Sequence, residues 1–508
     1  MPDRNVTVSP ERIAVIDIGS NSLRLVVFER LNGTLLPLLN EKVMCGLGRG
    51  IARTGRLDRD GVELAYANLQ RFVALARALK VDHLMAIATA AVREASDGHE
   101  FAAEIERQCG IPVRIVDGAE EARLSAAGVL AGIPGADGVV ADLGGGSVEL
   151  VRIDGSGANS GAAIGDGISL PLGPLRLAEL ADNPVKLAET IEVIVDGAGL
   201  LREAAGKTLF LVGGAWRAIA RLHMEHARYP LHIIHQYTVS RRSAEDFLEV
   251  VAPMSRRSLE RIATINRKRL ELVPLAAMIL YRLLQASGAS RIMFSAYGLR
   301  EGYAYGLQQP DTAVDPLIAA CMGVAHTQSR GRIDGDRLAQ WIGPVFGTLS
   351  PEARRIHWAA CWLSDIAWSE HPDYRAEQAF TRSLRMPIGA IGHRERVYIA
   401  TALHARYGGS PDDPVKAATR QLLGDDDAAE ARRLGLALRL AYTLCGGALD
   451  LLSEVKLSRD DDELILELPP SGSLFQGEAV DRRLAALGRT LGLTPQTVRR
   501  RVRKPALA

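Results

Sequence analysis

The sequence predicts an α/β chain built from two related halves that face each other, followed by a helical region and a small α+β end. Three observations predict it. An apolar β-branched run over 13–19 ends in Asp17-Ile18-Gly19, crosses the polar Ser20-Asn21-Ser22, and returns over 23–30. The same order of strand, D-x-G turn and strand recurs over 138–142, 143–147 and 148–153. One supersecondary unit repeated at a long interval marks duplicated domains. Beyond Gln309-Pro310-Asp311 the strand patterns give way to helical periodicity as far as about residue 450.

The elements follow in order. After the first hairpin come a helix over 61–80, a strand over 83–89, a helix opening near Ala91 that carries Arg93, and a strand over 113–116. A helix then starts near Gly118 with Glu120 and Glu121 in its first turn, where the macrodipole favours acid. The second half continues with a helix over 186–205, a strand over 208–212, and a helix over 215–223 opened by Gly213-Gly214. It closes with a strand over 291–295 and a helix over 299–307. In the tail one strand, 463–468, and a helix near 478–490 stand out. The domain boundaries expected from this pattern are 1–132, 133–308, 309–450 and 451–508.

Composition excludes several classes. With 47% hydrophobic and 24% charged residues, the chain is not a disordered one. Lys+Arg is 61 against 60 Asp+Glu, which disfavours a whole-chain nucleic-acid binder while leaving room for a local basic groove. Cys45, Cys109, Cys321, Cys361 and Cys445 show no C-x-x-C spacing and read as reduced thiols. The polar start MPDRNVTVSPER lacks a signal-peptide core, and the apolar stretch 275–284 is too short to span a bilayer and contains Arg282. The expectation is a cytoplasmic protein with no membrane partner.

Four motifs could carry chemistry. Asp17 followed by Gly19, Ser20, Asn21 and Ser22 suits a carboxylate-and-turn site for a metal-assisted phosphate, although these are also common turn residues. Asp142, Gly144, Gly145, Gly146, Ser147 and Glu149 form a second such turn, tightly bounded by two apolar runs, where glycine lets backbone approach a ligand closely. The pair is stronger than either alone. Glu120-Glu121 is a macrodipole-stabilised helix start or a source of a base for activating water. Arg93 is a helix-start surface residue or a planar fork for phosphate.

Taken together, these segments resemble the exopolyphosphatase / guanosine pentaphosphate phosphatase family of the actin–sugar kinase–Hsp70 fold. The resemblance rests on AVIDIGSNSLRLVVFE (14–29), ATAAVREA (88–95), IVDGAEEARL (115–124), VVADLGGGSVELV (139–151), LPLGPLRLAE (170–179) and LVGGAWRAIARL (211–222). It covers about residues 12–306. It implies two actin-like (ribonuclease H-like) domains with a cleft between them, followed by an all-helical HD-like domain and a small α+β cap. It also implies that Ser20, Asn21, Ser22, Arg93, Gly144, Gly145, Gly146 and Ser147 bind phosphate. Glu121 would activate water, and Asp17, Asp142 and Glu149 would position Mg²⁺ or its waters, with a monovalent cation such as K⁺ left open.

The activity implied is Mg²⁺-dependent release of terminal phosphate from inorganic polyphosphate. The alternatives are hydrolysis of guanosine pentaphosphate (pppGpp) to the tetraphosphate, or a catalytically weak sensor of polyphosphate or alarmone. A homodimer is expected. Trp216 stands where related kinases seat a nucleoside, which disfavours nucleotide there unless the indole is core. In the helical region Ser364-Asp365 replaces the His-Asp doublet of an HD metal site, so His357, His371 and His404 are expected to be structural and residues 315–508 to hold polymer and pair chains. Residues 491–501 look like part of a helix-turn-helix. The basic run Arg499, Arg500, Arg501, Arg503 and Lys504 is expected to help a polyanion approach, with no DNA partner.

Overall fold

The computed structural model describes residues 11–31, 33–155, 163–180, 183–255, 258–259, 272–307, 314–331, 333–471 and 475–500. The chain divides into two compact units, one running to Thr312 and taking in Ile388–Ala390, the other holding the rest.

The first unit carries two sheets of matching plan. The first sheet contains β1 (Glu11–Ile18), β2 (Ser22–Leu31), β3 (Thr34–Met44), β4 (His83–Ala88) and β5 (Val113–Ile115), in the order β3-β2-β1-β4-β5. The second contains β6 (Asp137–Leu143), β7 (Val148–Asp154), β8 (Ala163–Leu170), β9 (Thr208–Gly213), β10 (Tyr237–Ser240) and β11 (Arg291–Phe294), in the order β10-β11-β9-β6-β7-β8. In each, the strand ending in D-x-G pairs antiparallel with its return strand and parallel with the next strand in order. The duplication read from the two turns therefore extends through both sheets.

Both faces of the central strands are covered, which is why they read as nearly continuous apolar runs. Ala14, Ile16 and Ile18 of β1 pack with Leu69 and Phe72 of helix Arg59–Ala78, while Ile13 and Val15 point to the opposite face with Val26, Phe28 and Leu299. Each such side chain contributes about 1.5–3 kcal/mol when fully buried. Helix Gly118–Gly132 packs its Ala122, Ala126 and Val129 onto Val140, Val151 and Phe210 of the second sheet. It also crosses helix Leu299–Gly306 at a point where a Cβ on Gly302 would lie 1.8 Å from Leu124 O. That close crossing carries residues from both helices to the space between the sheets.

Trp216 is 0% exposed, and its Nε1 donates to Ala276 O at 3.3 Å. It is core packing against helix Val273–Ser287.

The second unit is mainly helical and ends in a small sheet of β12 (Lys456–Asp460), β13 (Glu463–Leu468) and β14 (Thr494–Arg499), in the order β12-β13-β14. Here the sequence expectation fails. Residues 494–499 are no part of a helix-turn-helix; they form an exposed strand that pairs in parallel with β13, whose open edge offers backbone partners that a short polar helix would lack. Arg501, Arg503 and Lys504 lie outside the described residues. At the HD position, Ser364 Oγ donates to Cys361 O and meets the Tyr442 hydroxyl, while both oxygens of Asp365 accept from Arg330, with Arg406 as a further partner. Guanidinium groups thus hold the carboxylate. His357 meets Tyr398 and Glu430, and His404 meets Asp413. Among the described residues no helix is long and apolar enough to cross a membrane.

Candidate active site

The two D-x-G turns close in the same way. Gly19 N donates to Ser22 O at 3.1 Å, and Gly144 N donates to Ser147 O at 3.0 Å. They also meet each other. A Cβ on Gly145 would lie 3.0 Å from Ser20 Cβ, and one on Gly146 would lie 3.5 Å from Ser20 Oγ. Leu175 closes on Gly145 from the other side, and Gly173 fits against Gly145–Gly146 so tightly that its Cβ would be 2.1 Å from Gly146 C. Glycine at 173 is a requirement of this close approach, and a side chain at 145 would press on Ser20 and Leu175. Arg176 then spans the two halves: its Nε donates to Gly146 O at 3.1 Å, and its Nη2 pairs with Glu94 beside Arg93.

Helix Gly118–Gly132 is capped by Asp117, whose side chain accepts from Glu120 N at 2.8 Å. The cap aims the first turn so that the two glutamates diverge. Glu120 faces outward to Arg114. Glu121 turns inward, 7% exposed, and accepts from Arg93 Nη1 at 3.0 Å. Arg93 is itself fixed by donating to Val116 O at 2.8 Å.

The cleft is rich in carboxylates. Burial, then the neighbouring Glu149, push the Glu121 carboxyl well above the usual range, with Arg93 opposing. Burial pushes Glu149 up to about 7, Asp142 adding to the effect. Asp142 is raised by burial against the hydroxyl that Ser125 donates to it. Asp17 is also raised by burial, opposed by Arg300 and Arg24. Its side chain keeps 24% of its accessibility, so it lies at the floor of an open cleft, surrounded by protein yet reachable by water. Arg300 Nη1 stands 3.6 Å from Asp17 Oδ2. Arg24 is pushed down to about 9, first by burial and then by Arg300 and Arg217.

Buried polar atoms left without a partner show where this cleft expects a ligand. Ser147 Oγ, Glu149 Oε2 and Arg300 Nε are among them. The Ser147 hydroxyl lies near enough to the Glu149 carboxylate to hold its shift down, but the contact falls short of hydrogen-bond geometry. The other Glu149 oxygen accepts from Ser169 Oγ at 2.9 Å.

No group of three or more His, Cys, Asp or Glu among the described residues is disposed as a ready metal cage. The donor set nonetheless fits Mg²⁺, which characteristically takes one or two carboxylates and completes its shell with phosphate oxygens and water. The unpartnered Glu149 Oε2 and the Asp142 carboxylate are hard oxygen donors of that kind. Asp17, expected beside them, has its charge answered by Arg300.

The structure thus brings Ser20, Gly144, Gly145, Gly146 and Ser147 together at one point, and Arg93, Glu121, Asp142 and Glu149 at another. Asn21 and Ser22 contribute turn backbone, Asn21 O accepting from Gly46 N at 3.1 Å. Sequence reasoning missed Arg24, Ser125, Ser169, Arg176 and Arg300. Arg24 left a local signal, by occupying in the first hairpin the place that Glu149 occupies in the second, and Arg176 lies within the quoted segment 170–179.

Comparison with known proteins supplies a family. The profile of the Ppx/GppA phosphatase family matches residues 26–310, and that of the exopolyphosphatase C-terminal region matches residues 317–498. The chain is similar to the PPX-GPPA enzyme of Aquifex aeolicus, at 25% identity and a TM-score of 0.50, over 58% of this chain and 99% of that one. It is similar too to an exopolyphosphatase from Cytophaga hutchinsonii, at 25% identity and a TM-score of 0.52, over 58% of this chain and 97% of that one.

Proposed function

The chain belongs to the Ppx/GppA phosphatase family, and we propose that it is an exopolyphosphatase that hydrolyses the terminal phosphoanhydride of inorganic polyphosphate. The observation that carries the reading is Glu121, held by Arg93 and raised by burial and then by Glu149, together with two glycine turns that meet at Ser20. The turns and Ser147 receive the terminal phosphoryl oxygens, and Arg93 orients the base while offering a second guanidinium nitrogen to phosphate. A water oxygen bonds to the terminal phosphorus as the bridging P–O bond breaks. One water proton passes to Glu121, and orthophosphate leaves a chain shorter by one unit. A carboxylate with a raised pKa is a better base than an ordinary one, provided it is ionised. The acid limb of kcat/KM is therefore expected above the usual carboxylate range, activity rising as pH passes through it.

Asp142 and Glu149 would hold Mg²⁺, which when bound neutralises charge on the phosphates. Trp216 is core packing, so it does not decide between polyphosphate and a nucleotide. The second unit gathers several arginines, of which Arg406 and Arg482 are paired with Asp365 and Glu478. Arg439 is pushed down to about 10 by burial and then by Arg483, Arg406, Arg482 and Arg432. That charge supports a polymer-holding role: truncation near Pro310 should leave short-chain cleavage intact while long chains are released earlier.

The test is Glu121→Gln. Turnover of polyphosphate should fall by about 10²–10⁴-fold with binding retained, the usual share of a general base. Glu120→Gln, at the outward residue, should do far less. Near-normal turnover in Glu121→Gln would remove the residue from the role.

A further inference from the structure

Residues 46–50, Gly-Leu-Gly-Arg-Gly, follow β3 and fasten onto the first turn. Gly46 N donates to Asn21 O at 3.1 Å and Gly48 N to Ser20 O at 2.8 Å. Gly48 is so near that a Cβ there would lie 3.1 Å from Ser20 Cβ and 3.5 Å from Ala91 Cβ. Gly46 has φ +68°, and the guanidinium of Arg49 fills the space its Cβ would take, with Nε 2.5 Å and Cζ 2.8 Å from that point. Arg49 N closes the turn onto Gly46 O at 3.0 Å. Gly46 thus makes room for the arginine, and Gly48 lets the loop lie against the phosphate turn. Yet the Arg49 side chain is exposed and has no hydrogen-bond or ion-pair partner among the described residues.

Ser20 is buried at the point where Gly145 and Gly146 arrive from the other half, and Arg49 lies just outside it. We propose that Arg49 forms an outer phosphate subsite, taking an oxyanion of the phosphoryl group next to the terminal one in a linear polyphosphate. This rests on the reading that the cleft accepts a polyphosphate end. A guanidinium folded over a turn is pre-aimed, and its planar fork suits two phosphate oxygens. Orthophosphate, which fills only the inner site, would not reach it; tripolyphosphate would.

The experiment measures, in the full chain, KM for tripolyphosphate and the inhibition constant of orthophosphate for the native protein, Arg49→Ala and Arg49→Lys. KM should rise about tenfold in Arg49→Ala, the size of one charge-assisted hydrogen bond. It should rise less in Arg49→Lys, which keeps the charge and loses the fork, and inhibition by orthophosphate should stay within about twofold in both. An unchanged KM in Arg49→Ala would overturn the proposal. Equal changes in KM and in orthophosphate inhibition would overturn it too, since Arg49 would then act on the terminal site. If the native protein releases no phosphate from tripolyphosphate, the hydrolase reading fails by itself. Calorimetric binding of tripolyphosphate to the native protein and Arg49→Ala then decides the subsite: a tenfold loss supports it and equal affinity sinks it.

Discussion

Asp17 faces Arg24 across the first hairpin, and Asp142 faces Glu149 across the second. These are the same two positions in two copies of one unit, with the same turn hydrogen bond and the same glycine after the aspartate. In the first copy opposite charges sit side by side, and Arg300 adds another cation. In the second, two like charges sit side by side, an arrangement that costs stability in a sheet. Ser125 and Ser169 relieve it only in part. Duplication supplied the scaffold. One residue on each return strand then made one wall cationic and the other acidic, and Glu121 brings a third carboxylate to the acidic wall. Phosphate needs the first environment, while a metal and a base need the second.

Breaking the meeting of the two turns should have the largest effect. Gly145→Val would push its side chain into Ser20 and Leu175, and turnover should fall roughly 10²-fold or more, the cost of a misplaced reacting group. Normal turnover with intact phosphate inhibition would show that the loop is only a turn.

The asymmetry between the walls is tested by the aspartates. Asp142→Asn should raise the Mg²⁺ concentration needed for half-maximal activity by about 10–100-fold, on the scale seen when a metal site loses a supporting group. Asp17→Asn, at the residue answered by Arg300, should move it much less. An unchanged titration in Asp142→Asn would take that residue away from the ion.

The smallest effect sharpens the comparison by its sign. Glu149 is neutral in both folded and unfolded chains below the ordinary glutamate pKa. The cost of ionising it in the fold grows as pH rises from there to about 7 and is complete above that. Metal-free Glu149→Gln should therefore melt about 2–4 °C higher than the native protein at pH 8 and show no gain at pH 4. Burial raises Asp17 too, but Arg300 and Arg24 oppose it, so Asp17→Asn at pH 8 should gain less than Glu149→Gln. Scanning calorimetry reads both shifts, and an equal or larger gain in Asp17→Asn would contradict the division of the walls.

Much of this was legible in the sequence because turn chemistry and apolar runs are local. The D-x-G turns and the helix opening at Gly118 follow from residues a few positions apart, while the choice of Glu121 over Glu120 came from the family resemblance. The strands β3 and β8 were not legible: both are edge strands with exposed polar positions, and their pairing comes from a neighbour rather than from their own pattern. Ser125, Ser169, Arg176 and Arg300 reach the cleft only through tertiary crossings, such as that at Gly302. Residues 494–499 were misread because their helix-like polarity was outweighed by the open edge of β13.

The central claim is that the two unlike walls together release phosphate from a chain end. The direct measurement follows orthophosphate release by the full chain, with Mg²⁺, from long polyphosphate and from guanosine pentaphosphate in parallel. The account predicts release from polyphosphate one unit at a time, faster than from the nucleotide. Tight binding of both with release from neither would contradict it.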